Sequence, residues 1–110
     1  MEIHSTVLEG GVAVLKLAGK LNMVSAPHLR QAVQSAVIAG NNRVSIDLTQ
    51  VDFIDSSGLG ALINGLKSAR QSGGDLRIAS PSEQVRLVLE LTNIDRVLKS
   101  YDNAETAFRD

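Results

Sequence analysis

The chain has 110 residues, of which 44% are apolar, 21% charged and 3% aromatic, enough to bury one aliphatic core and too little for two. Its 11 basic and 12 acidic side chains leave a net charge of -1, a field too weak to gather nucleic acid or an anionic membrane. The absence of cysteine removes disulfides, thiol chemistry and Cys-based metal sites, and two histidines, His4 and His28, are too few for a His-rich one.

The opening residues, MEIHSTVLEG, carry neither a basic nor an apolar signal region. No apolar run approaches the roughly 18 residues of a spanning helix. The expected setting is the cytoplasm, with neither membrane nor nucleic acid as a partner.

In chain order, residues 2–8 form an irregular first strand, EGG at 9–11 a turn, and Val12 to Ala18 a better strand that alternates with β-branched residues, the two pairing as a hairpin. After a break at Gly19 and Lys20, Ser25 reads as an N-cap ahead of Ala26 and Pro27. Leu29, Val33, Ala36 and Val37 then recur at helical spacing, and the helix stops near Ala39 with Gly40 as its C-cap. RVSIDL at 43–48 alternates between NN and a polar turn, a strand returning parallel to Val12–Ala18 through a right-handed crossover.

Leu59, Leu62, Ile63 and Leu66 mark a second helix that runs out at SGGD. DLRIA at 75–79 is a third parallel strand. Pro81 and Ser82 ahead of Glu83 open a third helix, with Val85, Val88 and Leu89 on its apolar face. Ile94 to Leu98 reads as a short edge strand, and NAETAF at 103–108 as a last helical turn or two. The order β-β-α-β-α-β-α predicts one α/β domain over residues 1–110, a mixed, mainly parallel sheet covered by helices. Sites in such sheets gather where strand carboxyl ends meet helix N-termini. Residues 55–58 and 20–25 lie there.

The stretch that carries chemistry is VDFIDSSGLGALING, residues 51–65. One of Asp55, Ser56 and Ser57 suffices to cap the second helix, so at least one hydroxyl is left unused. Gly58 and Gly60 strip side chains from the first turn and let another protein approach. A catalytic serine fits poorly: a nucleophile elbow places glycine two residues before and after the serine, where Ile54 and Asp55 stand here at the preceding offset. No base is brought to Ser56 either, since His28 falls in the first turn of the first helix and His4 on the opening strand. GLG at 58–60 lacks the rest of a phosphate-binding loop. Asp47 sits near a strand end as in a phospho-aspartate receiver, but the turns GKLN and NID lack the acidic ligands that such chemistry needs. No catalytic residue, metal site or cofactor is expected.

The segment VSIDLTQVDFIDSSGLGALI, with GKLNMVSAPHLRQAV before it and GGDLRIASPSEQVRLVLELTNIDRVL after it, resembles a STAS domain of the anti-sigma factor antagonist family over essentially the whole chain. The resemblance implies a partner-switching protein. Its first motif serine, Ser56 here, is phosphorylated by an anti-sigma factor that is itself a serine kinase, and a serine phosphatase restores it. The partner surface is expected around Ser56 to Leu62 and the adjacent Leu21–Ser25 turn, where glycines and small residues expose backbone beside short apolar side chains, with Asn22, Met23, Asp55, Ser56, Ser57, Gly58, Leu59 and Gly60 as its contacts. Asn22 departs from the acidic residue that the family often places in that turn. The other reading under the same resemblance is a constitutive binding module of a regulatory assembly or lipid-transport complex, with Ser56 never phosphorylated.

Overall fold

The computed structural model describes residues 1–109. Five strands form one sheet in the order β1-β2-β3-β4-β5: β1 (Glu2–Val7), β2 (Val12–Leu21), β3 (Arg43–Ile54), β4 (Asp75–Ala79) and β5 (Ser100–Tyr101). β1 pairs antiparallel with β2 and every later pair is parallel. Three helices connect them, α1 (Ala26–Ile38), α2 (Ser56–Gln71) and α3 (Glu83–Leu91).

Because the strand order never reverses, each crossover steps the same way, and right-handed connections then put every helix on the same face. The core agrees. Leu29 and Val33 of α1, Leu62 and Leu66 of α2, and Val85 and Leu89 of α3 share one buried cluster with Leu15, Ile46 and Ile78. The alternate strand residues Val12, Val14 and Ala79 face the other way, against Ala104 and Phe108. The expectation of a sheet covered by helices is thus met on one face. The other face is crossed by residues 102–109, where turns stand in place of the expected final helix. Ser45 Oγ donates to Ala104 O (2.7 Å) and Arg77 Nη1 to Ala107 O (2.8 Å), latching this strap to β3 and β4.

The helices end as their sequences dictate. α1 closes with Asn41 N donating to Ala36 O and Gly40 N to Val37 O, with Gly40 at φ 92°. α2 closes the same way with Gly73 at φ 85°. Both use glycine for the left-handed residue that turns the chain back into the sheet.

Three expected boundaries move. β2 does not break at Gly19 and Lys20 but continues to Leu21. β3 does not stop at Leu48 but runs six residues further, to Ile54. There the pairing advances two residues on β2 against three on β3 between Lys16 and Ala18, and one against two between Gly19 and Lys20. Two extra residues are therefore absorbed as bulges in β3, rare in parallel pairs. They bring Val51 and Ile54, spaced by three from Leu48, onto the core face that Val44, Ile46 and Leu48 occupy by alternation. Asp47, expected near a strand end, thus lies within β3, its carboxylate accepting from Thr49 N (3.0 Å) and Thr49 Oγ1 (2.6 Å) across the first bulge. Ile94–Leu98 is no strand: Ile94–Arg96 is a 3₁₀ turn, and the edge strand follows at Ser100–Tyr101.

Candidate functional site

The bulges carry β3 to the same level as the end of β2, so that Leu21 pairs with Ile54 and Asp55 N donates to Leu21 O (3.3 Å). Gln84 of α3 braces this end, its Oε1 accepting from Ile54 N (3.2 Å). Asp55 is extended and its Oδ1 accepts from Gly58 N (2.9 Å), so Asp55 is the N-cap of α2. Ser56 and Ser57 occupy the first turn. Ser56 is exposed and Ser57 half-buried, and among the described residues neither hydroxyl has a hydrogen-bond partner. Of the three candidate caps, the carboxylate takes the role and both hydroxyls remain unused.

The turn after β2 is built by Asn22. Its Oδ1 accepts from Val24 N (3.0 Å) and Ser25 N (3.2 Å), an Asx turn. Ser25 stands at the N-cap position of α1 but caps nothing with its side chain. Its Oγ accepts from Asn22 N (2.9 Å) and donates to Lys20 O (2.7 Å), tying the turn shut. Closed this way, the turn projects Met23 (72% exposed) and Val24 (76% exposed) into solvent. Neighbouring apolar side chains this bare form a small exposed apolar patch of the kind that a partner covers. Lys20 lies over the Phe53 ring, 5.5 Å from its centroid, at the adjacent strand ends. The expected Leu21–Ser25 turn includes Val24, without singling it out, and sequence reasoning missed Phe53. The available signal was the pair Met23–Val24 directly after an Asx-turn residue.

The glycines of α2 separate into two kinds. A Cβ on Gly58 would collide with Leu21 O and stand 2.9 Å from both Ile54 Cγ1 and Leu21 Cγ. A Cβ on Gly65 would meet Leu76 Cδ1 at 3.0 Å. At Gly58 the β2 backbone leaves no room for a side chain, whereas at Gly65 a methyl group would press on the side chains of Leu76 and Val33. Gly60 is different, since its Cβ would meet nothing nearer than Arg30 Nη2 at 3.8 Å. The expectation that Gly58 and Gly60 alike open the helix to a partner is therefore corrected. Gly58 is buried against β2 and Leu59 packs into the core. From behind, these two set the site's shape, while Asn22, Met23, Asp55, Ser56, Ser57 and Gly60 reach the surface in whole or part.

No hydrogen bond joins a histidine to either serine among the described residues: His4 lies beside Glu2 on β1 (3.9 Å), and His28 is in the first turn of α1. No group of three or more His, Asp or Glu residues suited to a metal ion is found among the described residues. None of the helices is long and apolar enough to cross a membrane. A cavity of about 410 Å³ lies on the opposite sheet face, between Lys16, Asp47, Ser80 and Asp102. The serine edge instead exposes small, apolar and hydroxyl groups, Met23, Val24, Ser56 and Gly60 among them, a composition suited to meeting a protein surface.

Residues 5–107 match the family model described as the STAS domain. A Thermotoga maritima protein provisionally named an anti-sigma factor antagonist is 37% identical over 100 residues, covering 90% of this chain and 88% of its own. A crystal structure from the same organism, under the same provisional name, superimposes with a TM-score of 0.87 at 35% identity, over 96% of this chain and 90% of that one. The crystal structure of an anti-sigma factor antagonist from Mycobacterium paratuberculosis gives a TM-score of 0.81 at 30% identity, over 99% and 96% of the two chains.

Proposed function

Since this chain belongs to the STAS domain family, among relatives named anti-sigma factor antagonists, we propose that it captures an anti-sigma factor through the edge formed by Met23, Val24, Ser56 and Gly60. Phosphorylation of Ser56 by that partner, acting as a serine kinase, releases it. The observation that carries this reading is the division of labour at the start of α2: Asp55 caps the helix, so the exposed Ser56 hydroxyl is surplus to folding.

In the transfer step, Ser56 Oγ attacks the γ-phosphorus of ATP bound by the kinase. The bond to the bridging oxygen breaks, ADP leaves, and the hydroxyl proton passes to a kinase base. The product carries about -1.5 to -2 charges where a neutral hydroxyl stood. Desolvating that charge against a surface shaped for the hydroxyl opposes binding. A hundredfold loss of affinity requires only about 2.8 kcal/mol, within what an unpaired buried charge costs. A phosphatase that hydrolyses the ester resets the domain.

Ser56 is favoured over Ser57 because it is the more exposed of the two and stands at the motif's first serine. Incubation with the cognate kinase and ATP, followed by peptide mass spectrometry, is expected to place the phosphate on Ser56, and Ser56→Ala is expected to bind the anti-sigma factor while resisting modification. A phosphate on Ser57 reverses the assignment. Protein isolated from its own cells without any phosphoserine, under conditions that inactivate the sigma factor, favours the constitutive binding module instead.

A further inference from the structure

Arg30 projects from α1 across α2. Its Nη2 lies 3.8 Å from the place a Cβ on Gly60 would occupy. It is exposed, and among the described residues it has no ion pair or hydrogen bond. Gly60 and Ser56 are four residues apart in α2, so they stand on the same face of the helix one turn apart, with about 5 to 6 Å between their β-carbon positions. A helical Cβ tilts toward the N-terminus, and the space that Gly60 leaves open therefore lies on the side of Ser56. The exposed Arg30 guanidinium borders that space.

We propose that Arg30 holds the phosphate of modified Ser56 within the same chain, by a charge-assisted hydrogen bond reached through a rotation of its flexible side chain across Gly60. The assignment rests on Ser56 as the modified residue. Three features of the structure support it. Among the described residues the guanidinium has no carboxylate partner to leave. Gly60 puts no side chain in its path. The turn beside it carries the neutral Asn22, whose carbonyl oxygen is already occupied by Val24 N and Ser25 N, where an acidic residue would repel the phosphate. Two nearby charges are already engaged: Asp55, whose Oδ1 faces back to Gly58 N, and Lys20, held over the Phe53 ring; Asp52 on the end of β3 and Glu83 at the start of α3 are further charges of these elements. Arg30 thus acts on the phosphorylated state alone, drawing the phosphate along the helix face rather than leaving it free in solvent.

The test is made on full-length protein with phosphoserine installed at position 56 during translation, in the wild type and in the Arg30→Gln and Arg30→Lys variants. Phosphorus NMR titration reads the second ionisation of the phosphate. An adjacent guanidinium favours the dianion, so the wild type is expected to titrate about half a pH unit lower than Arg30→Gln, with Arg30→Lys between them. The Arg30 Nε–H signal of the wild type is expected to shift on phosphorylation. Because Arg30 has no partner among the described residues of the unmodified domain, all three unmodified proteins are expected to melt together, which separates loss of the clamp from loss of the fold. Superimposable phosphate titrations in wild type and Arg30→Gln overturn the proposal. No kinase is used, so that result leaves the partner-switching reading intact, and a kinase that ignores Ser56 overturns that reading without touching this one.

Discussion

Between the carbonyl oxygen of Leu21 and the α-carbon of Gly58 there is no room for a β-carbon. This single approach joins the end of β2 to the first turn of α2, and so fixes the Asn22–Ser25 turn beside the two serines. Gly58→Ala is expected to lower unfolding free energy by about 2 to 3 kcal/mol, the scale of overpacking a well-filled core, despite the roughly 1 kcal/mol that alanine otherwise gains over glycine in a helix. Denaturant titration checks it. Partner binding is expected to fall with stability, so Gly58→Arg is a folding variant and not an interface probe.

Gly60 predicts the opposite pairing. Its Cβ position is open apart from ordinary contact with Arg30, so Gly60→Ala is expected to raise unfolding free energy by about 0.5 to 1 kcal/mol. At the same time it places a methyl group on the face proposed to meet the anti-sigma factor, and affinity measured by calorimetry is expected to drop severalfold. A variant that is more stable and binds less is hard to explain by anything except surface contact. Unchanged affinity would place Gly60 outside the interface.

The strands and helices whose signals are local were legible from the residues. DLRIA alternates between turns and forms β4 over Asp75–Ala79, and the glycines after Ala39 and Ser72 end their helices by backbone geometry that glycine favours. Where two segments had to be compared, the reading failed. Leu48, Val51 and Ile54 look like the end of a strand followed by loop because their spacing of three breaks alternation, and only pairing with β2 reveals the bulges that restore Val51 and Ile54 to the core face. Ile94 and Leu98 suggested a strand, yet their spacing is one helical turn, closed by Leu98 N donating to Ile94 O (2.9 Å). The serine motif was visible as a site. Which of Asp55, Ser56 and Ser57 caps the helix, and that Gly58 faces inward while Gly60 faces out, depended on where Leu21 lies.

Met23 and Val24 stand 72% and 76% exposed on a turn held by Asn22 and Ser25. Their own contacts contribute little to folding, and substitutions at such positions usually change stability by no more than about 0.5 kcal/mol. Met23→Asp and Val24→Asp are therefore expected to leave the melting curve nearly unchanged while each weakens anti-sigma factor binding tenfold or more, about 1.4 kcal/mol. A large fall in melting temperature would show that these side chains pack inward in solution.

On the far face, Ser45 is wholly buried and its hydroxyl donates to Ala104 O. Ser45→Ala removes the donor and strands a buried carbonyl, at a cost of about 1 to 3 kcal/mol. Since that carbonyl belongs to the strap over β2 and β3, limited proteolysis is expected to cut residues 102–109 faster in the variant. Phosphorylation at Ser56, on the opposite side of the sheet edge, is expected to proceed at the wild-type rate.

The cap itself gives the sharpest comparison among neighbours. Asp55 Oδ1 accepts from Gly58 N, while Ser57 bonds to nothing in the described chain, so two adjacent polar residues at one helix start should differ in their worth to folding. Asp55→Ala is expected to cost about 1 kcal/mol, the usual loss when a cap is replaced by alanine, and Asp55→Asn less, because the amide oxygen can accept the same bond. Ser57→Ala is expected to cost less than about 0.5 kcal/mol, the scale of a substitution that breaks no bond. Thermal unfolding of the three variants decides the matter. Equal losses at Asp55 and Ser57 would mean that the serine shares the cap in solution, leaving Ser56 as the one hydroxyl free for modification; the expected inequality leaves both hydroxyls free, and the choice between them then rests on their exposure and on what the kinase can reach.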